Sequence, residues 1–337
     1  MTRLAVRLCG SCSIGSRGSC IPLDTDDDSA SPPQPRNRES EGMDKRASLE
    51  QVVEGIPDGT TIGLGGLSMN SAPMAYVREI VRQEKRDLTI VAIVAGMSVD
   101  WLIAGGCVKK VISGLVSFEG LGLAPSFRTG VQSGLVEIEE YSEDLLICRL
   151  RAQAWNLPFV PTKAGLGTDL ISLHEETGTI RAEVDEVTGE HYVACTRLPV
   201  DVALVHAHSA DELGNVRVDP KLIWMDNEIV NAAERTFVSV ERYVEHTEVI
   251  AEPHRTTYPH FMVSGVSLAE LGAYPCSCFP EYGHHTGFFQ SYSSAASDPK
   301  EFARFFADRV LGPETWEDFI QSNGGDEMIA AIRRPSV

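Results

Sequence analysis

From Ser48 onward the chain alternates short apolar runs with amphipathic stretches, and glycine, proline or small polar residues mark each switch. A short helix is expected from Ser48 to Gly55, then a strand over Thr60–Leu64, a glycine turn, and a helix from about Pro73 to Glu84. Leu88–Val94 reads as a buried strand. Four further apolar runs, Val108–Ile112, Val131–Ile138, Phe159–Pro161 and Val202–His206, are short, β-branched and bounded by Gly or Pro, the character of parallel strands covered on both faces. Helices are expected over Asp144–Asn156, Pro220–Ala233 and Pro299–Val310. This alternation predicts an α/β fold, an open mostly parallel sheet with flanking helices. One stretch departs from it. Ile180–Tyr192 is polar and charged and carries the turn signal Thr188-Gly189, which predicts a hairpin-like insertion.

Residues 1–42 have no hydrophobic period and contain the acidic run Asp26–Asp28 and the polar stretch Ser31–Glu41, so they are expected to be a disordered tail. Met43 opens the patterned text. The folded domain is therefore expected over 43–330, with 1–42 either a dispensable tail or an upstream start.

With 337 residues and 43% hydrophobic content, the chain can bury one large core or two modest ones. No run reaches the roughly 18 apolar residues of a spanning helix, and Leu4–Ile14 is interrupted by Arg7, so neither a membrane span nor a secretory signal is expected and the reading is cytoplasmic. A net charge of −19 argues against nucleic acid, whose phosphates need a basic surface. An anionic substrate would instead need local help from helix N-termini, backbone N–H groups or a partner's cations. Of eight cysteines, Cys9, Cys12 and Cys20 lie in the tail, and the spacing does not suggest a disulfide framework. Cys276 and Cys278, followed by His284 and His285, hint at zinc, but C-x-C departs from the usual ligand spacing and no metal is expected.

The segment with most chemical promise is Asp58-Gly59-Thr60-Thr61-Ile62-Gly63-Leu64-Gly65-Gly66-Leu67, a strand running into paired glycines with Pro73 opening a helix soon after. Adjacent glycines let the backbone turn sharply and approach a ligand, and in open α/β sheets ligands sit beyond the carboxyl ends of strands. Tight helix–strand packing would use the same glycines. The spacing of Gly63, Gly65 and Gly66 fits neither a Walker loop nor a dinucleotide fingerprint.

The chain resembles the α half of the family I coenzyme A transferases, particularly the glutaconate type. The resemblance is carried by Gly65-Gly66-Leu67 with Pro73, Val108-Lys109-Lys110-Val111, Gly134-Leu135-Val136-Glu137 leading to Tyr141-Ser142-Glu143, Leu157-Pro158-Phe159-Val160-Pro161 with Ala164-Gly165-Leu166-Gly167-Thr168, and Val200-Asp201-Val202-Ala203-Leu204-Val205-His206-Ala207 followed by Ala210-Asp211 and Gly214-Asn215. The order of these blocks, over roughly 45–290, matters more than any one of them. The family usually has Phe where Leu67 stands.

That resemblance implies a separate β-type subunit, a heterodimer or heterotetramer, a coenzyme A thioester as substrate and no permanently bound cofactor. It also implies covalent catalysis by a glutamate that follows a strand in the β half, commonly in Glu-Asn-Gly or Glu-Ser-Gly. Here the corresponding stretch is Ile93-Val94-Ala95-Gly96-Met97, with apolar Val94 at the nucleophile's place, so the nucleophile is expected on the partner. Backbone around Gly65, Gly66 and Leu67 is expected to bind the thioester or CoA, and Ala95, Gly96, Ser117 and Phe118 to shape the acyl pocket. Glu119, in a Gly-flanked loop, and Glu143, at a helix start, are the candidate carboxylates of this half; an exposed loop residue and a helix-capping residue are the plain alternatives. Steroid-ring hydrolases on the same fold use an acidic residue of the α half, which keeps ring-opening acyl-CoA hydrolysis open. A non-catalytic acyl-CoA or sugar-phosphate sensor is the third reading. His206 and His208 share a strand face and are expected to serve polar packing, while Arg149 and Arg151 either pair with acids such as Glu143 or reach CoA phosphates.

Overall fold

The computed structural model describes residues 44–218 and 224–333. Expectations for the tail, and for the first residues of the helix over 220–233, lie outside them. The elements in chain order are α1 (Leu49–Glu54), β1 (Thr61–Leu64), α2 (Met74–Arg82), β2 (Leu88–Ala95), α3 (Met97–Ala104), β3 (Val108–Val116), α4 (Pro125–Gln132), β4 (Glu137–Glu140), α5 (Glu143–Ala154), β5 (Phe159–Thr162), α6 (Leu170–Leu173), β6 (Ile180–Val184), β7 (His191–Thr196), β8 (Val200–Ala210), β9 (Val216–Arg217), α7 (Asp226–Ala232), β10 (Ala233–Tyr243), α8 (His246–Ala251), β11 (Gly265–Leu268), α9 (Thr286–Ala295), α10 (Pro299–Phe305), α11 (Trp316–Ser322) and α12 (Gly325–Ile332).

The main sheet runs β11-β10-β8-β1-β2-β3-β4 with every neighbour parallel, and the short β9 pairs antiparallel to β8. Alternation along the central strands sends side chains into two separate cores. Ile90 and Ala92 of β2 join the helices of one face together with Ile62 and Leu64. Val91 and Ile93 join α5 and α7 on the other. A strand covered on both faces needs apolar side chains on both, which is why every position of β2 except Thr89 is apolar.

Several expectations need correction. Val131–Ile138 is not one strand: Val131 belongs to α4, Gly134 turns the chain at φ +74°, and the strand starts only at Glu137. As the sheet's edge, β4 keeps acidic, largely exposed side chains, so it is not covered on both faces. Phe159–Pro161 is a strand but not a parallel one. It forms the border of a small antiparallel sheet in the order β5-β7-β6, where Pro161 fits because a border strand need not donate every ladder hydrogen bond. The other two strands of that sheet are the expected hairpin, Ile180–Val184 paired with His191–Thr196. The helix expected over Pro299–Val310 is α only to Phe305 and widens into a π-helical stretch over Phe306–Leu311. Expectation passed over β10 and β11, although Thr236, Val238 and Val240 fall at every second position of β10 and are buried.

The helices at the C-terminal end of the described chain close over one face. Arg78 on α2, almost wholly buried, donates to the carbonyls of Val310 (2.7 Å), Thr315 (3.2 Å) and Pro313 and stacks over Phe319 at 5.2 Å. Asp100 on α3, fully buried, accepts from the amide of Phe127 (2.7 Å) and the hydroxyl of Tyr292 (2.7 Å), tying α4 and α9 to α3.

Burial pushes the Asp100 carboxyl up to about 6 against the opposing pull of those donors. Its folded value thus exceeds the unfolded one of about 3.9, so its contribution is fully present below about pH 4 and is lost as pH rises through about 6. Asp100→Asn should remove this dependence. Urea unfolding at pH 4 and pH 7 is expected to show wild type losing about 2 to 3 kcal/mol relative to the variant across that interval; parallel behaviour of the two proteins would refute the assignment.

Candidate functional site

The carboxyl ends of β1, β2 and β3 run into three loops that cross one another. Beyond β1, the amide of Gly65 donates to the Leu204 carbonyl (2.9 Å), and the amides of Leu67 and Asn70 exchange hydrogen bonds with each other's carbonyls (2.8 Å each). The Ser68 amide donates to the Val94 carbonyl (3.0 Å) and its hydroxyl to the Ser117 carbonyl (2.9 Å), so Ser68 joins the ends of all three strands. Gly96 lies at the crossing. A Cβ there would stand 2.8 Å from the Ser68 carbonyl oxygen, closer than side chains tolerate, and 3.0 Å from that of Ser117.

Gly66 turns at φ +86°, and its amide donates to Asp226 Oδ1 (3.0 Å) at the start of α7. The amides of residues 65, 66, 67 and 68 are therefore all engaged within the chain. Gly65 and Gly66 are buried and Leu67 half-buried, so the segment whose backbone was expected to bind the thioester or CoA is a tightly held turn with its N–H groups already engaged. A second strap holds it from outside: the Ser71 amide donates to the Ser277 carbonyl (2.7 Å), the Ser277 amide to the Met69 carbonyl (2.9 Å), and Ser277 Oγ to Asn70 Oδ1 (2.6 Å).

The expected site residues divide accordingly. Ala95 and Gly96 are buried at the crossing, Leu67 is half-buried and Ser117 partly open. Phe118 does not line a crevice, because its fully buried ring packs edge-on against Phe289 at 5.3 Å. Glu119 is exposed, with positive φ (+52°), and its amide donates to Ser117 Oγ (3.0 Å). Glu143 is also exposed, in the first turn of α5, and it lies against bare backbone of β3: a Cβ at Gly114 would come within 3.2 Å of its amide nitrogen. Next to the end of β3, Val116, Leu123, Ala124 and Phe127 line an apolar recess of about 240 Å³.

Neither arginine pairs with Glu143. Arg149 is buried and donates to Glu139 (3.0 Å), Tyr141 and the Thr196 carbonyl (3.2 Å), fastening the small sheet to the border of the large one. Arg151 pairs with Glu228 at 2.7 Å. His206 packs as a polar core residue, with Nδ1 at 2.9 Å from Ser239 Oγ and Nε2 at 2.7 Å from Glu241 Oε1. Glu241 further accepts from Tyr282 (2.8 Å) and from the amides of Leu271 (2.9 Å) and Gly272 (3.2 Å). Burial would raise its pKa, but these donors outweigh burial and hold the carboxyl below its usual value. Burial holds His208 below the usual imidazole range.

The four residues considered for zinc do not converge: Cys278 Sγ faces His208 Nε2 at 3.7 Å, while His285 Nδ1 sits 2.7 Å from the Tyr274 hydroxyl. Among the described residues, His206, Glu241 and Cys278 bring ligand-type atoms within 4.8 Å of one another. Burial lifts the Cys278 thiol well above its usual range, so it is neutral there. Sequence reasoning passed over Asp226 and Glu241. Each is a single acid beside an apolar run, with no local motif to mark it, and only the fold brings them to their partners.

Among the described residues no helix is long and apolar enough to cross a membrane. Known proteins then place the chain. The family model described as coenzyme A transferase matches residues 46–269. The cholesterol ring-cleaving hydrolase IpdA subunit of Rhodococcus jostii is 34% identical over 280 residues, covering 80% of this chain and 93% of that protein. A glutaconate CoA-transferase subunit of Acidaminococcus fermentans is 29% identical over 306 residues, covering 85% and 94%. The solved glutaconate coenzyme A-transferase from that organism superposes with a TM-score of 0.81 at 26% identity, covering 87% of this chain and 96% of that one. With the parallel sheet, the crossed strand-end loops and a family match spanning most of the described chain, the protein belongs to the family I coenzyme A transferases, as an α-type subunit.

Proposed function

We propose that this chain is one half of a heteromeric enzyme that moves coenzyme A between an acyl-CoA and a carboxylic acid, and that a β-type subunit supplies the nucleophilic glutamate. The observation that carries the reading is Val94. At the carboxyl end of β2, where the attacking group is expected, stands a buried apolar side chain whose carbonyl is taken by Ser68. An isopropyl group cannot attack a thioester.

In the proposed reaction the partner's glutamate carboxylate attacks the acyl-CoA carbonyl, the C–S bond breaks, and an acyl-glutamyl anhydride and CoA thiolate form. The thiolate then attacks the glutamyl carbonyl and releases the first acid, leaving a glutamyl-CoA thioester. A second acid reverses both steps. Dividing the exchange in this way avoids direct displacement by a weakly nucleophilic free carboxylate. This chain contributes the fixed backbone turn at Gly65–Leu67, the Ala95–Gly96 segment, and Ser117, Glu119 and Gly120 of the loop after β3 around the acyl group. A dicarboxylate such as glutaconate is the substrate class favoured by the relative of that name.

Ring-opening hydrolysis of a cyclic acyl-CoA is the second reading. The IpdA relative favours it, as does Glu143, an open carboxylate set against glycine backbone at β3, suited to activating water.

Co-expression with a β-type partner, followed by incubation with an acyl-CoA and a ¹³C-labelled second acid, is expected to place label in the thioester. With a cyclic acyl-CoA as substrate, incorporation of ¹⁸O from water into a new carboxylate of the ring-opened acyl-CoA, without labelled thioester from the second acid, would instead establish ring-opening hydrolysis. The chain alone should exchange no CoA.

Glu143→Gln separates the readings further. For transfer, turnover should stay within about fivefold of wild type, whereas loss of a general base for water lowers hydrolysis by about 10²-fold or more.

A further inference from the structure

Beneath the glycine loop lies a buried acid that neither the family resemblance nor the reaction accounts for. Asp226 opens α7 and is 6% exposed, and its Oδ1 accepts the Gly66 amide at 3.0 Å. The same oxygen would lie 2.3 Å from a Cβ at position 65, so the absent side chain of Gly65 makes room for this carboxylate. On its other side, Gly66 is packed against the loop's own return, with a notional Cβ 2.6 Å from the Asn70 carbonyl oxygen and 2.7 Å from the Ala72 nitrogen. Both glycines are thus required by intramolecular packing.

We propose that Asp226 is a positioning residue for the strand-end loop: its carboxylate fixes the Gly66 amide, and through it the path of the backbone from Gly65 to Ser71 against which the acyl-CoA is held. This rests on the functional reading above only for its catalytic consequence.

The choice of an acid is physically informative. Besides Gly66, the carboxylate is approached by its own backbone amide and by that of Trp224. Several converging N–H groups suit an acceptor-only side chain; an amide would keep the acceptor toward Gly66 and lose only the one toward the remaining amides. Burial nevertheless opposes the charge, raising the carboxyl to about 6 even though the amides and nearby His206 pull it down. The Tyr258 hydroxyl is also buried and unpartnered, and burial, with the Asp226 charge adding to it, raises its pKa. A group this costly to bury is a poor choice for packing alone and a good one for holding a backbone amide in a single place.

The test uses the complex with its β-type partner and compares wild type, Asp226→Ala and Asp226→Asn. In the alanine variant kcat for acyl-CoA exchange should fall at least about tenfold with a smaller change in KM, the range expected when a substrate-contacting wall shifts. Hydrogen exchange of the peptide spanning 65–71 should speed up while peptides from β2 and β3 stay unchanged. The asparagine variant keeps one acceptor oxygen for Gly66 and should recover most of both signals. Unchanged loop exchange and kcat in Asp226→Ala, or an asparagine variant as damaged as the alanine one, would overturn the proposal. Should Asp226→Ala fail to fold, Gly65→Ala, which presses a methyl group onto the carboxylate, is expected to loosen the loop and lower kcat, and a silent result there would overturn it equally. If the wild-type complex exchanged no CoA at all, the functional reading would fail while loop exchange still decided the role of Asp226.

Discussion

The site depends on a crossing of three loops at the carboxyl ends of adjacent parallel strands. Ser68 donates its amide to the end of β2 and its hydroxyl to the end of β3, and Gly96 leaves the space in which the two carbonyls meet. Parallel strands bring their carboxyl ends to one side of the sheet, so loops leaving β1, β2 and β3 must share a small volume. Backbone–backbone hydrogen bonds and the absence of a Cβ resolve the crowding. The wall that results is held by backbone hydrogen bonds together with the side chains of Ser68, Ser277 and Asp226.

Around this crossing the chain places buried ionisable groups that act as braces. Asp226 holds Gly66, while Glu241 gathers His206, Tyr282 and two amides under the end of β8 and β10. Ser277 joins that second cluster's neighbourhood to the glycine loop through Met69, Asn70 and Ser71. A buried charge is tolerable only where several donors converge on it, and a cluster of that kind admits one geometry and penalises others. The outer carboxylates, Glu119 and Glu143, have no comparable constraint and face solvent in this chain. The architecture suits one half of a shared pocket: rigid backbone here, with open carboxylates at its margin.

Much of this was legible in the text. Strands covered on both faces need mostly apolar side chains, so β2 and the apolar stretches Val111–Ile112 of β3 and Val202–Val205 of β8 announced themselves, and the turn at Thr188-Gly189 marked the hairpin. Paired glycines after the first strand and Pro73 marked the loop, and motifs in a fixed order pointed to the family. Local chemistry determines these features: side-chain period, proline's missing N–H and glycine's freedom are properties of a residue and its neighbours. What only tertiary structure decided depends on contacts across long stretches of chain. Sequence assigned no role to Asp226, which meets Gly66 160 positions away, or to Glu241, which meets His206 35 positions away. It set Phe118 in the pocket, where packing against Phe289 places it in the core. It offered the backbone around Gly65–Leu67 to a ligand, because partners such as Leu204 and Asp226, which engage those amides, become neighbours only when the sheet assembles.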